Sequence, residues 1–294
     1  MQRAEKVLVL GGTGFLGGYF VSALGKRAIV QTTKPPHLVT KADFQQMQFN
    51  KHQIGAIKAF LEKQNCGTVI NAIALADIEK CEQDEILANW TNCELPGVLS
   101  TISKSLGCKF VHISTDAVFD GSISFRKEND TPLPLSIYGK SKWNGEQLVL
   151  GNNPDALVSR VNFFGKSLNK PSLFNYFYDN LISKKNVLGF TDVFFTPLYA
   201  VDTVRVIMQL IDLKATGTYH VVGSERISKF EFGALISEIF NLQDAFLKQG
   251  QMVGTSGAEL RSSDLSLSND KIKLLGINLP TILDGLAILK KNML

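Results

Sequence analysis

Tyr138 and Lys142 lie four residues apart in a stretch patterned as a helix, so their side chains share a face. A phenol titrates near ~10 and is a poor acid–base at neutral pH. An ammonium nearby favours the phenolate and lowers that value. Such a tyrosine can protonate a carbonyl oxygen as hydride arrives, or deprotonate an alcohol in the reverse direction. Upstream, Ser114-Thr115-Asp116 closes an apolar run, KFVHIS. The carboxyl ends of parallel strands are where such sheets place their chemistry, and the Thr115 hydroxyl would hold the same oxygen. The bland reading makes Tyr138 a packing residue at a helix start and Lys142 a surface lysine. YxxxK arises often by chance, and gains weight here from a glycine-rich loop and a strand ending in hydroxyl residues.

That loop is VLVL-GGTGFLG, with Gly11, Gly14 and Gly17 between a strand pattern and a helix pattern. The spacing is GxxGxxG rather than GxGxxG. Gly11 permits the tight turn, Gly14 lets backbone amides approach a pyrophosphate, and Gly17 lets helix and strand pack closely. Thr13 falls inside the turn. Phosphates would sit on the helix N-terminus, where N–H groups and the dipole attract anions. The strand before and the helix after are the context that makes this a dinucleotide site. NAD enzymes carry Asp or Glu at the end of the second strand, for the ribose hydroxyls. Here that position reads Thr32-Thr33-Lys34. Two hydroxyls and an ammonium suit a 2′-phosphate, so NADP(H) is the expected cofactor, with NADH left open.

These residues need a frame, and the first half of the chain supplies one by alternating strand and helix patterns. Strands are expected at 6–10, 28–32, weakly at 48–50, then at 68–73, 109–114 and 156–161. Helices are expected at 15–24, 54–64, 84–106 with a break or a restart at Pro96, and 138–150, stopped by Gly151. Such alternation implies parallel β-α-β units, hence an α/β fold of the Rossmann type, a doubly wound parallel sheet. After Arg160 the pattern loosens into an aromatic-rich stretch at 162–195. A helix at 199–213, a strand at 218–222, and helices at 229–240 and about 282–290 follow. The expected organisation is a dinucleotide-binding domain at 1–161, rejoined by about 191–222, with a smaller C-terminal substrate-binding lobe from 162–190 and 223–294.

Composition narrows the class. The 294 residues are 45% hydrophobic and 20% charged, ordinary for a globular chain rather than a disordered or fibrous one. The net charge of +4 is too small to argue for nucleic acid as a partner. Cys66, Cys81, Cys93 and Cys108 form no CxxC pair and no pattern with His, so no metal site is expected. Four cysteines in so long a chain read as reduced thiols. Residues 7–25 are uncharged and could pass for a signal peptide or a membrane span, but six of them are glycine, spaced as a turn. The expectation is a cytoplasmic protein with no membrane partner.

Together these segments resemble the extended short-chain dehydrogenase/reductase superfamily, and within it the dTDP-4-dehydrorhamnose reductase family. The resemblance runs along nearly the whole chain, through NAIALADIEKCE at 71–82, Asn92, VHISTDAVFDG at 111–121, PLSIYGKSKWNGE at 134–146, FTPLYA at 195–200 and GTYHVV at 217–222. The STDxVFDG run is the most specific of these. The resemblance implies Thr115, Tyr138 and Lys142 as the catalytic trio. It implies substrate contacts from Thr115, Asp116, Asn162 and Phe163. Cofactor contacts would come from Gly14, Phe15 and Leu16, from Phe49 beside the adenine, and from Ala72 and Ala74. Tyr138 and Lys142 would meet the nicotinamide ribose. The substrate implied is a nucleotide-linked 4-keto-6-deoxy sugar for polysaccharide or deoxysugar biosynthesis, and the resemblance leaves a homodimer open.

Two departures fall where substrate should bind. Arg160-Val161-Asn162-Phe163 stands in place of an Arg-Thr-Ser-Trp run, and Arg261-Ser262 in place of an Arg-Pro pair. Asn162 is closer to the pattern of sugar-nucleotide epimerases and dehydratases, which stay as an alternative. Against dehydration, Asp116 is followed by Ala117, not by a glutamate. A non-catalytic, dinucleotide-binding regulatory subunit is the third reading.

Overall fold

A computed structural model describes residues 5–33, 42–167, 172–242 and 246–293. Seven strands form its main sheet: β1 (Val7–Leu10), β2 (Ala28–Thr32), β3 (Asp43–Gln46), β4 (Thr68–Asn71), β5 (Lys109–Thr115), β6 (Leu157–Val161) and β7 (Gly217–Val221). Their order is β7-β6-β5-β4-β1-β2-β3. β1 pairs in parallel with β2 and β4, β2 with β3, and β4 with β5. This is the expected doubly wound parallel sheet. Its central strands are apolar on both faces because both are covered. Leu8, Leu10, Val69, Phe110 and Val158 share one core with Ile57, Leu61, Leu95, Leu99 and Val149 from flanking helices. Val7, Val9 and Val30 are equally buried.

The helices of this half are α1 (Phe15–Leu24), α2 (Ile54–Gln64), α3 (Ile78–Gln83), α4 (Glu85–Asn89), α5 (Leu95–Ser105) and α6 (Ile137–Asn152). Side-chain caps fix several starts. Asp77 accepts from Lys80 N before α3, and Ser136 accepts from Gly139 N at 3.2 Å before α6. Residues 7–25 resolve into β1, a glycine turn and α1. No helix among the described residues is long and apolar enough to cross a membrane.

Three expectations need correction. The weak strand at 48–50 is not there: β3 is Asp43–Gln46, a polar edge strand that pairs, among the described strands, with β2 alone, so it carries no apolar run. Phe49 instead sets its ring 5.9 Å from that of Phe60. At Pro96, where a break or a restart was expected, the helix restarts: the proline sits in the first turn of α5, where its missing N–H costs nothing. The irregularity lies just before it, where Trp90–Glu94 widens into a π turn. Gly151 does not stop α6, which ends at Asn152 with Asn153 as its cap. The strand expected at 68–73 ends at Asn71, whose side chain then accepts from Ile73 N at 3.2 Å.

By contacts the chain forms two compact units. The first gathers 1–115, 136–159 and 207–219; the second gathers 116–135, 160–206 and 220–294. The second unit contains α7 (Leu173–Ile182), α9 (Lys229–Ile239), α10 (Asp270–Lys273) and α11 (Ile282–Met293), while α8 (Ala200–Asp212) spans the division. A capping box, Ser228 with Glu231, starts α9. Its aromatic-rich stretch is core: Phe164, Phe177 and Phe195 each pack against the Phe232 ring, with centroids 5.3, 6.4 and 5.5 Å away.

Candidate active site

The glycine turn follows from steric necessity. Gly11 has φ of 74°, a left-handed value that favours glycine. A Cβ on Gly17 would collide with the Gly11 carbonyl, and one on Gly12 with the Val30 side chain. Gly14 caps α1 with extended backbone, no side chain caps that end, and no acid stands in the first turn. An uncapped helix N-terminus without a carboxylate fits an anionic diphosphate. Around it, Gly11 N donates to Gln31 Oε1 at 3.0 Å, and Thr13 and Thr32 hydroxyls lie 3.1 Å apart. Gln31 also donates to the Met47 carbonyl, tying β2 to the stretch after β3. Thr33 is exposed, and Lys34 lies outside the described residues. Phe15 is half-buried, and Leu16 is buried. Ala72 N donates to Leu10 O at 3.0 Å, and Ala74 is exposed.

Thr115 ends β5, as expected, and is buried. Tyr138 is the second residue of α6 and half-buried; Lys142 follows one turn later. Lys142 is no surface lysine: its exposure is 0%. Its Nζ donates to Ile113 O at 2.7 Å and lies 3.2 Å from His112 Nε2. Burial pulls its pKa down to about 8, with the carboxylate of Glu146 opposing. Glu146, one turn further along α6, is also fully buried and accepts from Ser114 Oγ at 2.5 Å. β5 and α6 therefore meet through Ser114–Glu146 and Ile113–Lys142.

α6 is held close by the π turn. Asn92, fully buried within it, donates to Ser141 Oγ at 3.0 Å and to Leu75 O at 3.0 Å, and accepts from Leu75 N at 2.9 Å. Gly145 is required opposite, since a Cβ there would strike the Asn92 carbonyl. Ile137 N, at the start of α6, donates to Glu82 Oε1 at 2.7 Å.

Among the second unit's residues, Asp116 begins a short 3₁₀ turn and accepts a hydrogen bond from Asn162 Nδ2. Phe163 is half-buried in a two-residue strand pairing with Leu198–Tyr199. The VFDG signature has a physical account. The Phe119 ring carries the guanidinium of Arg160 at 5.1 Å and that of Arg126 at 5.6 Å. Asp120 pairs with Arg126 at 3.1 Å. Gly121 has φ of 81° and leaves no room for a Cβ against Asp264 N. Ser262, where the family pattern has proline, donates its hydroxyl to Phe119 O at 2.7 Å. Lys229 holds its ammonium 3.2 Å from the Phe195 ring centre, and burial lowers its pKa to about 7, with Asp116 opposing.

The sequence reading missed Asn71, His112 and Glu146 as parts of the site. Two of them are single polar residues inside otherwise apolar strand runs, and a polar group buried in a sheet must be paired. That signal was available in TVINAI and KFVHIS. Glu146 continues the spacing of Tyr138 and Lys142 by another turn.

The parallel sheet, the glycine turn opening α1 and the Tyr-Lys turn of α6 define a Rossmann-type chain of the short-chain dehydrogenase/reductase kind. More narrowly, it belongs to the family described as RmlD substrate binding domain, which matches residues 5–292. It is 29% identical over 291 residues to the probable low-salt glycan biosynthesis reductase Agl14 of Haloferax volcanii, covering 96% of each chain. It is 27% identical over 290 residues to methionine adenosyltransferase 2 subunit beta of Mus musculus, covering 93% of this chain and 83% of that one. Among solved structures, dTDP-4-dehydrorhamnose reductase of Bacillus anthracis in complex with NADP aligns with a TM-score of 0.86 at 22% identity, over 98% of this chain and 99% of that one.

Proposed function

We propose that the chain is an NADPH-dependent reductase of the 4-keto group of a nucleotide-activated 6-deoxy sugar, serving polysaccharide or deoxysugar synthesis. The observation that carries this reading is the burial of Lys142 one turn beyond Tyr138, against the strand that ends in Thr115. In this reading the Tyr138 hydroxyl gives its proton to the keto oxygen. The Thr115 hydroxyl donates to the same oxygen, orienting the carbonyl and stabilising its developing charge. Lys142, when charged, draws the phenol toward neutral pH. The bound cofactor supplies the hydride.

The proposed cradle consists of Gly11, Thr13, Gly14, Phe15 and Leu16 at the diphosphate, with Thr32, Thr33 and Lys34 at the 2′-phosphate. Phe49 is assigned to the adenine, Ala72 and Ala74 to the edge of the fourth strand, and Tyr138 and Lys142 to the nicotinamide ribose. Asp116, Asn162 and Phe163 are the proposed substrate contacts of the second unit. Support for a sugar nucleotide comes from the family and from the reductase names of its relatives.

The test is NADPH oxidation with dTDP-, UDP-, GDP- and CDP-linked 4-keto-6-deoxy sugars. A dTDP-linked 4-keto-6-deoxy sugar is the expected best substrate, and turnover of non-nucleotide carbonyl compounds alone would overturn the proposal. The likeness to methionine adenosyltransferase beta subunits favours one other reading, a dinucleotide-binding regulatory subunit. NADPH binding without turnover of any keto sugar, together with a stoichiometric partner on purification, would put that reading first.

A further inference from the structure

Asn71 of β4 and His112 of β5 are register partners in the parallel sheet, and both are fully buried. The Asn71 side chain has its two ends committed. Its Oδ1 accepts from Ile73 N at 3.2 Å, which turns its Nδ2, a group that can only donate, toward His112 Nδ1, also at 3.2 Å. His112 Nδ1 is therefore the acceptor. Burial, with the Lys142 charge adding to it, holds this imidazole far below its ordinary pKa and so neutral. A neutral imidazole that accepts at Nδ1 carries its proton on Nε2. That N–H faces Lys142 Nζ, 3.2 Å away.

An ammonium has three donors and no acceptor, so it cannot receive this N–H. A neutral amine can, through its lone pair, while still donating to Ile113 O at 2.7 Å. We propose that Asn71 and His112 are positioning residues that fix one imidazole tautomer and thereby bias Lys142 toward its neutral amine in the cofactor-free protein. Lys142 then takes up a proton from water when it leaves His112, and only then acts on the Tyr138 phenol. This last consequence rests on the reading of Lys142 as the partner of Tyr138; the tautomer and the bias do not.

The other groups around Lys142 do not supply the same bias. Glu146, one turn along α6, opposes it by favouring the ammonium. Tyr138 lies one turn back on the same helix. From α3, Glu82 is engaged by Ile137 N at the start of α6. From the π turn, the Cys93 thiol is held protonated by burial and by Glu94. β4 brings only the neutral amide of Asn71.

Long-range proton–nitrogen correlation of the His112 ring in the cofactor-free protein reads the tautomer directly and needs no variant. The expected result is a proton on Nε2 and none on Nδ1; the reverse overturns the proposal. Lysine labelled at Cε, assigned by loss of one signal in Lys142→Met, then gives the Lys142 titration. Asn71→Asp converts the donor at Nδ1 into an acceptor, so the His112 proton moves to Nδ1 and a lone pair faces Lys142. Its midpoint should rise by at least about one pH unit, a tenfold change in the amine-to-ammonium ratio. No rise in a folded Asn71→Asp protein overturns the proposal. The alkaline limb of turnover should move up with the midpoint. A moved midpoint with an unmoved limb would leave the lock standing and remove Lys142 from the acid–base step.

Discussion

Tyr138→Phe removes one oxygen and keeps the ring. If that hydroxyl is the general acid, turnover on the preferred keto sugar falls by ~10²–10⁴-fold. NADPH affinity, followed by fluorescence titration, should change little, because the proposed holder of the far end of the dinucleotide is the glycine turn. Lys142→Met should lower both, since the same ammonium is assigned to the phenol and to the ribose. Near-normal turnover in Tyr138→Phe would refute the assignment. Glu146 supplies a second test. Its carboxylate raises the Lys142 pKa against the pull of burial. Glu146→Gln removes that charge, so the amine forms at lower pH and the alkaline limb of turnover should shift down, where Asn71→Asp shifts it up. At this scale the placement of Thr115 at a strand end and of Tyr138 and Lys142 one turn apart on α6 was readable, because an apolar run and a helical spacing announce those positions. Asn71 and His112 were legible only as buried polar residues in need of a partner; which partner each has, from 71 to 112, is something only the sheet register creates.

The elements are held in place by close approaches that tolerate no side chain. At Gly145 the helix carrying Tyr138 and Lys142 touches the carbonyl of Asn92 in the π turn. Gly145→Ala must push α6 away from Trp90–Glu94, at a cost of ~1–3 kcal/mol typical of overpacking. Urea unfolding should show that loss, and turnover should fall further than stability alone explains, because Tyr138 and Lys142 move with the helix. An unchanged midpoint would mean the contact is soft. Strand and helix periodicity made β1, β2, β5, α1, α2 and α9 legible, since each pairs an apolar run or stripe with a clear terminator. β3 was misplaced because Asp43–Gln46 is a polar edge that pairs through backbone alone. The π turn left no trace in the pattern, since widening one turn changes neither composition nor spacing enough to be seen.

Across the whole molecule, acid should unfold the protein through its interior histidines. His220 is fully buried, accepts from Arg160 Nη1 at 3.2 Å, and has its pKa pushed down to about 3, chiefly by burial and then by Arg160. His112 is lowered as well. In the unfolded chain both return to about 6.5, so below that value the unfolded state binds more protons. Stability is full above it and falls as the pH drops, by up to ~1.4 kcal/mol per pH unit for each histidine. Urea midpoints measured between about pH 6 and pH 4.5 should show this slope, and His220→Gln should flatten it by about half. A flat profile in that window would show that these rings titrate normally.

The first compact unit is written in three separate stretches, the last being 207–219. β7, which flanks β6 at the sheet's edge, is completed only at Val221, long after β6 ends at Val161. A ribosome adding ~5–20 residues per second leaves β6 as the terminal strand of a growing sheet for several seconds. That strand, LVSRV, is fully buried in the finished molecule, and an unpaired apolar edge invites pairing with another chain. The interval between making β6 and making β7 is therefore when the nascent protein is most exposed to misassembly, and slowing translation between them should lower the yield of folded protein.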